Sequence, residues 1–377
     1  MKKIIAILMI LMSLFLVSCS NLTNGQLMGL IRQTIGDNKG ALEEYDKLIN
    51  KNPKNAKLYC LRGIVKSQLN EYNSAIDDFN KSVTIDPGLQ QAYYRRGMVE
   101  NFLGNKKDAL KDYSKAIELN PKDSYSYGER GNVKWQLGDF KGALDDFNKT
   151  IELNPNHKIA HFSRGIIIAD TEDFKNALID FNKAIALDSK FEDAYMQRGR
   201  VKLRLDDHKG AINDFTKAIL LKPNSKELEE LHLWRASAKN TMGDSKGTLE
   251  DINAVLSINP NNSFAYNERA DIKNKTGDFS GALKDVNKSI ELNPKMLIGY
   301  CTRGEIENNL SNYKNAIKDF SKAIELANNY ADPYPYYHRA IARFKLGDKT
   351  GALKDLKTAS SLGYKQADDK IKEIQSN

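Results

Sequence analysis

The chain has 377 residues, 41% of them hydrophobic and 28% charged, which is typical of folded soluble proteins and excludes a wholly disordered chain. The formal net charge is +8, but lysine and arginine are interleaved with aspartate and glutamate, which argues against a nucleic-acid-binding surface. The cysteines have no zinc-site spacing and the histidines are scattered, so we expect neither a metal nor a cofactor.

The N-terminal segment has the pattern of a targeting signal. Two lysines precede the apolar run Ile4–Val17, which is shorter than a relaxed membrane span and typical of a signal peptide. The run ends in Leu16–Cys19, which resembles the bacterial lipobox. The resemblance implies a signal peptide over residues 1–18, a lipidated N-terminus over residues 19–21 and acylation of Cys19; Ser20 implies delivery to the outer membrane. The alternative is a plain secretory signal in which the cysteine is incidental.

A pattern of 34 residues then recurs ten times between about Leu22 and Gln366. In the copy Gln90–Asp123, repeat positions 4, 8, 20, 24, 27 and 32 are occupied by Tyr93, Gly97, Ala109, Tyr113, Ala116 and Pro121. Such a period predicts a solenoid, in which each unit buries its apolar face by stacking on its neighbours.

These positions resemble the tetratricopeptide repeat. The resemblance implies an all-α fold: a right-handed α-solenoid of about ten helix pairs over residues 22–366, with a capping helix over residues 367–377. In each copy we predict a helix A over positions 2–14, a turn such as Gly138-Asp139, and a helix B that ends near position 30. Three extra residues near Lys226–Leu228 predict a longer turn between two copies.

Position 7 is arginine in nine copies and position 23 is acidic in all ten. Because an acid accompanies every arginine, structural ion pairs are favoured over an anion-binding ladder. The first copy has Glu44 but no arginine, so we hypothesise that each acid meets the arginine of the next copy; pairing within a copy is the alternative. The representative residues are Arg62, Arg96, Arg130, Asp78, Asp112 and Asp146.

The resemblance also implies that helix A lines a concave groove, mainly through positions 2, 5, 9 and 12. In copies two to six these positions are mostly apolar, with asparagine interspersed, which suits an extended or helical peptide, whereas in copies seven to nine they turn polar. The predicted groove residues are Tyr94, Met98, Asn101, Tyr125, Asn132, Trp135, Phe162, Ile166 and Met196. The alternative is that this stripe packs against neighbouring helices.

We therefore predict a lipid-anchored scaffold or adaptor that binds a protein or peptide partner. It would be attached to the outer membrane through its lipid alone and face the periplasm, in envelope assembly or secretion. No nucleophile, metalloprotease or phosphate-loop motif is present, so we expect no catalysis. A cell-wall glycan binder and a structural spacer without a groove ligand are the alternatives.

Overall fold

The structure, a computed structural model, describes residues 24–221, 224–327 and 332–376. These residues form 21 α-helices and no strand, which confirms the predicted all-α fold. The A helices of the ten copies are α1 Asn24–Thr34, α3 Ala56–Gln68, α5 Gln90–Phe102, α7 Ser124–Gln136, α9 Lys158–Asp170, α11 Glu192–Arg204, α13 Ser225–Thr241, α15 Ser263–Lys275, α17 Leu297–Asn309 and α19 Tyr334–Lys345. The B helices are α2 Asn38–Lys51, α4 Tyr72–Ile85, α6 Lys106–Leu119, α8 Phe140–Leu153, α10 Phe174–Leu187, α12 His208–Leu220, α14 Ser245–Ile258, α16 Phe279–Leu292, α18 Tyr313–Leu326 and α20 Lys349–Ser361. Helix α21, Gln366–Ser376, follows the last pair.

The chain forms two compact units, which meet in sequence between Asp188 and Ser189. The first unit contains helices α1–α10, and the second contains α11–α21. Within each unit, helices A and B of a copy pack against each other, and helix B packs against helix A of the next copy. Helix α21 packs on the last pair through Ala367 and Ile374, both fully buried.

Small residues allow the two helices of a copy to cross closely. A Cβ atom added at Gly131 would lie 3.0 Å from the ring of Phe147 and 3.2 Å from the Cβ of Asp146. The alanine at position 20, Ala143, and the ring of Phe147 at position 24 are fully buried. The turn between the helices needs a left-handed residue, supplied by Gly138 with a φ of 82°. Asp139 then caps helix α8 by accepting a hydrogen bond from the amide of Gly142.

The three extra residues near Lys226–Leu228 do not form a longer turn, and that expectation is wrong. They lie within α13, which has 17 residues where most A helices have 13. Asn224 caps this helix and Glu227 returns a hydrogen bond to the Asn224 amide, forming a capping box. A helix N-terminus stabilised in this way absorbs the insertion as additional helix.

Nine arginines at position 7 connect helices A and B of their own copy. Both Nε and Nη2 donate to the aspartate at position 23, as in Arg62, whose nitrogens lie 2.8 and 2.6 Å from the carboxylate oxygens of Asp78. The nine pairs are Arg62–Asp78, Arg96–Asp112, Arg130–Asp146, Arg164–Asp180, Arg198–Asp214, Arg235–Asp251, Arg269–Asp285, Arg303–Asp319 and Arg339–Asp355. The bidentate geometry fixes the arginine as well as the acid.

The hypothesis that each acid meets the arginine of the next copy is therefore wrong. Positions 7 and 23 face each other across the crossing of helices A and B, beside the small residue at position 8. The arginine and the acid of one copy are therefore already within ion-pair distance. Asp355 of the last copy, which the hypothesis left over, binds Arg339. Glu44 of the first copy is the acid without an arginine, and it stays half-exposed.

The same arginines still connect neighbouring copies, through their third nitrogen. Nη1 of Arg62 lies 2.6 Å from Asp46, and Nη1 of Arg96 lies 2.6 Å from Asn80. Both acceptors occupy position 25 of the preceding copy. Six more arginines make this contact, to Ser114, Asn148, Thr216, Asn253, Asn287 and Ser321. Each of these eight guanidinium groups thus links the two helices of its own copy to the copy before it.

Most copies also carry an aromatic residue at position 4, beside the arginine. We call positions 4, 7 and 23 the framework of a copy. In seven copies the arginine carbon Cζ lies 5.4 to 5.6 Å from the centre of a tyrosine ring, within cation–π range. In copies five and seven a histidine replaces the tyrosine: His161 Nδ1 lies 2.9 Å from Asp180, and His232 Nδ1 lies 2.8 Å from Asp251. Burial opposes ionisation, but the hydrogen bonds from the histidine and the arginine hold the pKa of both aspartates below the ordinary value.

Candidate functional site

The framework uses one side of each copy and leaves positions 2, 5, 6, 9 and 12 of helix A for other contacts. In the first unit, the structure places the predicted groove residues in three different environments. Tyr125 is 56% exposed and Met98 is 37% exposed. Tyr94 and Phe162 are half-buried, and Tyr94 packs against Tyr113 with ring centres 6.0 Å apart.

The remaining predicted residues of the first unit are also half-buried. Trp135 packs on a core cluster that contains Phe147 and Ile167. Asn101 accepts a hydrogen bond from Lys106 at 2.6 Å. Asn132 and Ile166 are half-buried on helices α7 and α9. In this unit the apolar stripe is therefore shared between core packing and surface, and Tyr125 and Met98 are the predicted groove residues that are exposed.

A pocket with a volume of about 510 Å³ lies in the second unit. It is lined from helices α11, α13 and α15 by Met196, Arg200, Glu230, Leu233, Trp234, Ser237 and Phe264. We call it the Trp234 pocket. Trp234, Phe264, Leu233 and Met196 make its walls mainly apolar. The two rings are accessible, since Trp234 is 39% exposed and Phe264 is 47% exposed. Exposed aromatic rings beside a concavity are typical of binding surfaces.

Of the predicted groove residues, Met196 is the one that lines this pocket. Trp234 and Phe264 were missed by the sequence analysis, which took the groove of copies seven to nine to be polar. Trp234 stands at position 6 and Phe264 at position 2. The signal was present in the composition, since Trp234 is one of only two tryptophans in the chain. Arg200 lies over the Trp234 ring, with its Cζ 5.6 Å from the ring centre.

Carboxylates surround the Trp234 pocket. Glu230 is part of its wall, and a small cavity that shares Met196 with it is lined by Glu192, Asp193 and Glu227. Burial, together with the neighbouring acids, raises the pKa of Glu192 and of Asp193 above the ordinary value. Burial is the larger cause, and the smaller one shows that the carboxylates of Glu192, Asp193 and Glu227 lie near enough to repel one another.

A second group of acids continues along helices α15 and α17. Burial and the proximity of Asp271 raise the pKa of Glu268, and the same causes raise the pKa of Glu305 to about 7. Tyr334 contacts the carboxylate of Glu305. Asp271 forms an ion pair with Lys275. Copies eight and nine thus place Glu268, Asp271 and Glu305 close together, whereas in the first unit Glu129 is the inner carboxylate whose pKa burial raises.

The described residues contain no group of histidine, cysteine, aspartate or glutamate that could hold a metal ion. Cys60 and Cys301 are buried free thiols, and burial raises the pKa of each to about 12. In residues 24–221, 224–327 and 332–376, no helix has the length and apolar character needed to cross a bilayer. Cys19 and the proposed signal peptide lie outside the described residues.

Family comparison matches six segments of the chain, all described as tetratricopeptide repeat. The segments are residues 56–89, 91–123, 124–157, 192–225, 265–296 and 299–330, which together exceed half of the chain. No curated protein matches the chain in sequence.

Several solved structures are similar to parts of the chain. The C-terminal part of a repeat-containing protein from Cytophaga hutchinsonii matches with 18% identity and a TM-score of 0.52, over 64% of this chain and 98% of that one. YrrB, described as having an unusual peptide-binding site, matches with 25% identity and a TM-score of 0.43, over 52% and 97%. MamA matches with 27% identity and a TM-score of 0.40, over 43% and 95%. The first of these supports the fold.

Proposed function

Because this chain belongs to the tetratricopeptide-repeat family, we propose that it is a scaffold that binds a segment of a partner protein on the exposed face of its A helices. The observation that carries the proposal is the Trp234 pocket, in which two half-exposed aromatic rings and two aliphatic side chains face an open volume. Burying such rings against a partner supplies most of the binding energy in many interfaces.

The rest of the copy supports a binding role. Nine of the ten helix pairs are fixed by a bidentate ion pair, and small or buried residues at positions 8, 20 and 24 pack the two helices together, so the A helices form a preorganised surface. A partner that docks on such a surface loses its own conformational entropy but orders little of the scaffold. Tyr125 and Met98 would supply a further contact in the first unit.

We further propose that Cys19 carries the lipid that anchors the mature chain to the outer membrane, facing the periplasm, where the partner takes part in envelope assembly or secretion. The support for this proposal is the sequence of residues 1–20. Growth of expressing cells with a labelled fatty acid tests it. The label should enter the wild-type protein and be absent from Cys19→Ser; equal labelling of both would contradict lipidation at this residue.

The binding proposal is tested by site-specific photo-crosslinking in cells. A photoreactive residue replaces Ser237, which is exposed and lines the pocket. The matched control replaces Lys284, an exposed residue of helix α16. We expect a discrete adduct from position 237, none from position 284, and loss of the adduct when Trp234→Ala is added. Absence of any adduct from position 237, as expected for a structural spacer, would overturn the proposal.

A further inference from the structure

The charge around the Trp234 pocket restricts what can occupy it. On one side the pocket shares Met196 with the small cavity lined by Glu192, Asp193 and Glu227. Glu227 accepts a hydrogen bond from the Asn224 amide, and no cation among the described residues forms an ion pair with Glu192 or Asp193. Three carboxylates therefore meet the apolar pocket at a common wall.

The other side of the pocket leads to acids as well. Phe264 lines the pocket on helix α15, and Glu268 lies four residues further on the same face of that helix. Asp271 extends this negative surface, which Lys275 offsets in part. The Oδ1 atom of Asn267, also on α15, is buried and lacks a hydrogen-bond donor among the described residues.

Arg200 is the cation of the pocket wall, and its position argues against an acidic occupant. Its guanidinium lies over the Trp234 ring and donates to Gln197 at 3.2 Å. An arginine that lies over an aromatic ring can cover apolar surface with its aliphatic stem. Against this one cation stand Glu230 in the same wall and the three carboxylates of the adjoining small cavity.

From this arrangement we propose that the Trp234 pocket accepts a partner segment with an apolar anchor residue flanked on both sides by lysine or arginine. The inference rests on the proposed binding function and specifies the chemistry of its partner. The anchor fills the space between Trp234, Leu233 and Phe264. One flanking cation faces Asp193 and its neighbours, and the other faces Glu268 and Asp271. Charge complementarity of this kind sets specificity and association rate more than affinity.

Selection from a displayed library of random 12-residue peptides tests the proposal without a known partner. The purified array, residues 20–377, is used as wild type and as Trp234→Ala. We expect the wild-type protein to enrich peptides in which an apolar residue stands between basic residues, and the Trp234→Ala protein to enrich none of them. Binding of one enriched peptide is then measured by fluorescence polarisation.

Two charge variants separate specific recognition from overall charge. Asp193→Asn with Glu230→Gln removes two carboxylates beside the pocket, whereas Asp77→Asn with Asp145→Asn removes two exposed carboxylates of the first unit. We expect the first pair to weaken binding about three- to tenfold and the second to leave it unchanged, because each lost charge pair at a rim contributes modestly. Raising the salt concentration should reduce the difference.

The outcomes distinguish the inference from the function on which it rests. Enrichment of neutral or acidic peptides that still depends on Trp234 would overturn the basic-segment inference and leave the binding function standing. Enrichment that is independent of Trp234, or the enrichment of no peptide, would overturn both. Equal weakening by the two pairs of charge variants would also contradict the inference, since it would indicate a general effect of net charge.

Discussion

The two units have the same framework but present different chemistry at position 9 of helix A. In copies two to five, in the first unit, this position is occupied by Ile64, Met98, Asn132 and Ile166; in copies six to nine, in the second, it carries Arg200, Ser237, Asp271 and Glu305, and only the last copy returns to an apolar residue, Ile341. The arginine–aspartate pairs, the aromatic residue at position 4 and the buried ring at position 24 occur in both units. The comparison teaches that positions 4, 7, 23 and 24 fix the fold, while positions 2, 6 and 9 are free to differ and determine what can bind.

The largest expected effect tests whether the framework is equivalent in the two units. Asp146→Ala in the first unit and Asp285→Ala in the second should each lower the free energy of unfolding by about 3–5 kcal/mol, because each leaves a partly buried arginine without its partner. Glu44→Ala is the matched control, since Glu44 has no arginine, and we expect a change within about 0.5 kcal/mol. Urea unfolding followed by circular dichroism measures all three. A large loss in one unit only would break the equivalence.

The next largest effect shows which of the two units binds the peptide. Trp234→Ala should weaken binding of the selected peptide by about 2 kcal/mol or more. It should change the free energy of unfolding little, because the ring is half-exposed. Trp135→Ala should lower stability, because that ring packs on a core cluster. Our sequence-based hypothesis placed the partner against Trp135, and it remains open. Fluorescence polarisation combined with urea unfolding separates the two roles; loss of peptide binding in folded Trp135→Ala would assign the site to the first unit.

A smaller effect concerns the acids of the second unit and depends on pH. Burial raises the pKa of Glu305 from 4.5 to about 7, so the folded state holds the proton more tightly than the unfolded state. Its contribution to stability is therefore greatest at low pH and falls as the pH rises through 7. At pH 8, Glu305→Gln should exceed the wild type in free energy of unfolding by about 1–3 kcal/mol.

At pH 4 this difference should disappear, because the wild-type carboxyl is then protonated. The matched control is Glu250→Gln, which alters an exposed residue of helix α14 in the same unit. Thermal unfolding between pH 4 and pH 8 measures both variants. A stabilisation that does not depend on pH would show that the electrostatic explanation is wrong.

The smallest effect compares the two histidines of the framework, one in each unit. His161→Tyr and His232→Tyr should each change the free energy of unfolding by less than about 1 kcal/mol, because tyrosine at the same position packs on arginine in seven other copies. Urea unfolding of the two single variants measures this. A large loss in either variant would mean that its hydrogen bond to aspartate does more than replace the stacked ring.

Much of the fold could be predicted from the sequence because the repeat encodes it locally. The period places each small residue at the helix crossing, and Gly138 and Asp139 mark the turn and the cap. The direction of ion pairing could not be predicted, because positions 7 and 23 lie close together only once the crossing of helices A and B is known. Position 25 did indicate which contact runs between copies. It carries Asp46 in the first copy, which is followed by a copy with an arginine, but Lys357 in the last, after which no arginine follows.

The candidate site was harder to predict, because it depends on which residues of a stripe remain exposed. Trp135 and Phe162 occupy groove positions 12 and 5, yet Trp135 packs on a core cluster and Phe162 packs against Phe181, whereas Trp234 stands at position 6 and lines the pocket. Trp234 lies on the helix that absorbs three extra residues, and no positional rule foretells the pocket beside it. The repeat thus specifies the helix and the position of each side chain, whereas packing determines which side chains stay exposed to a partner.

Pairing within each copy bears on how such a protein changes length during evolution. Every copy after the first carries both the arginine and the aspartate of its pair, and its position 25 usually offers the acceptor that the following copy needs. Duplication or deletion of a whole 34-residue segment therefore leaves no charge stranded at the new junction. Lineages can gain or lose recognition surface by one recombination event, without compensating mutations elsewhere.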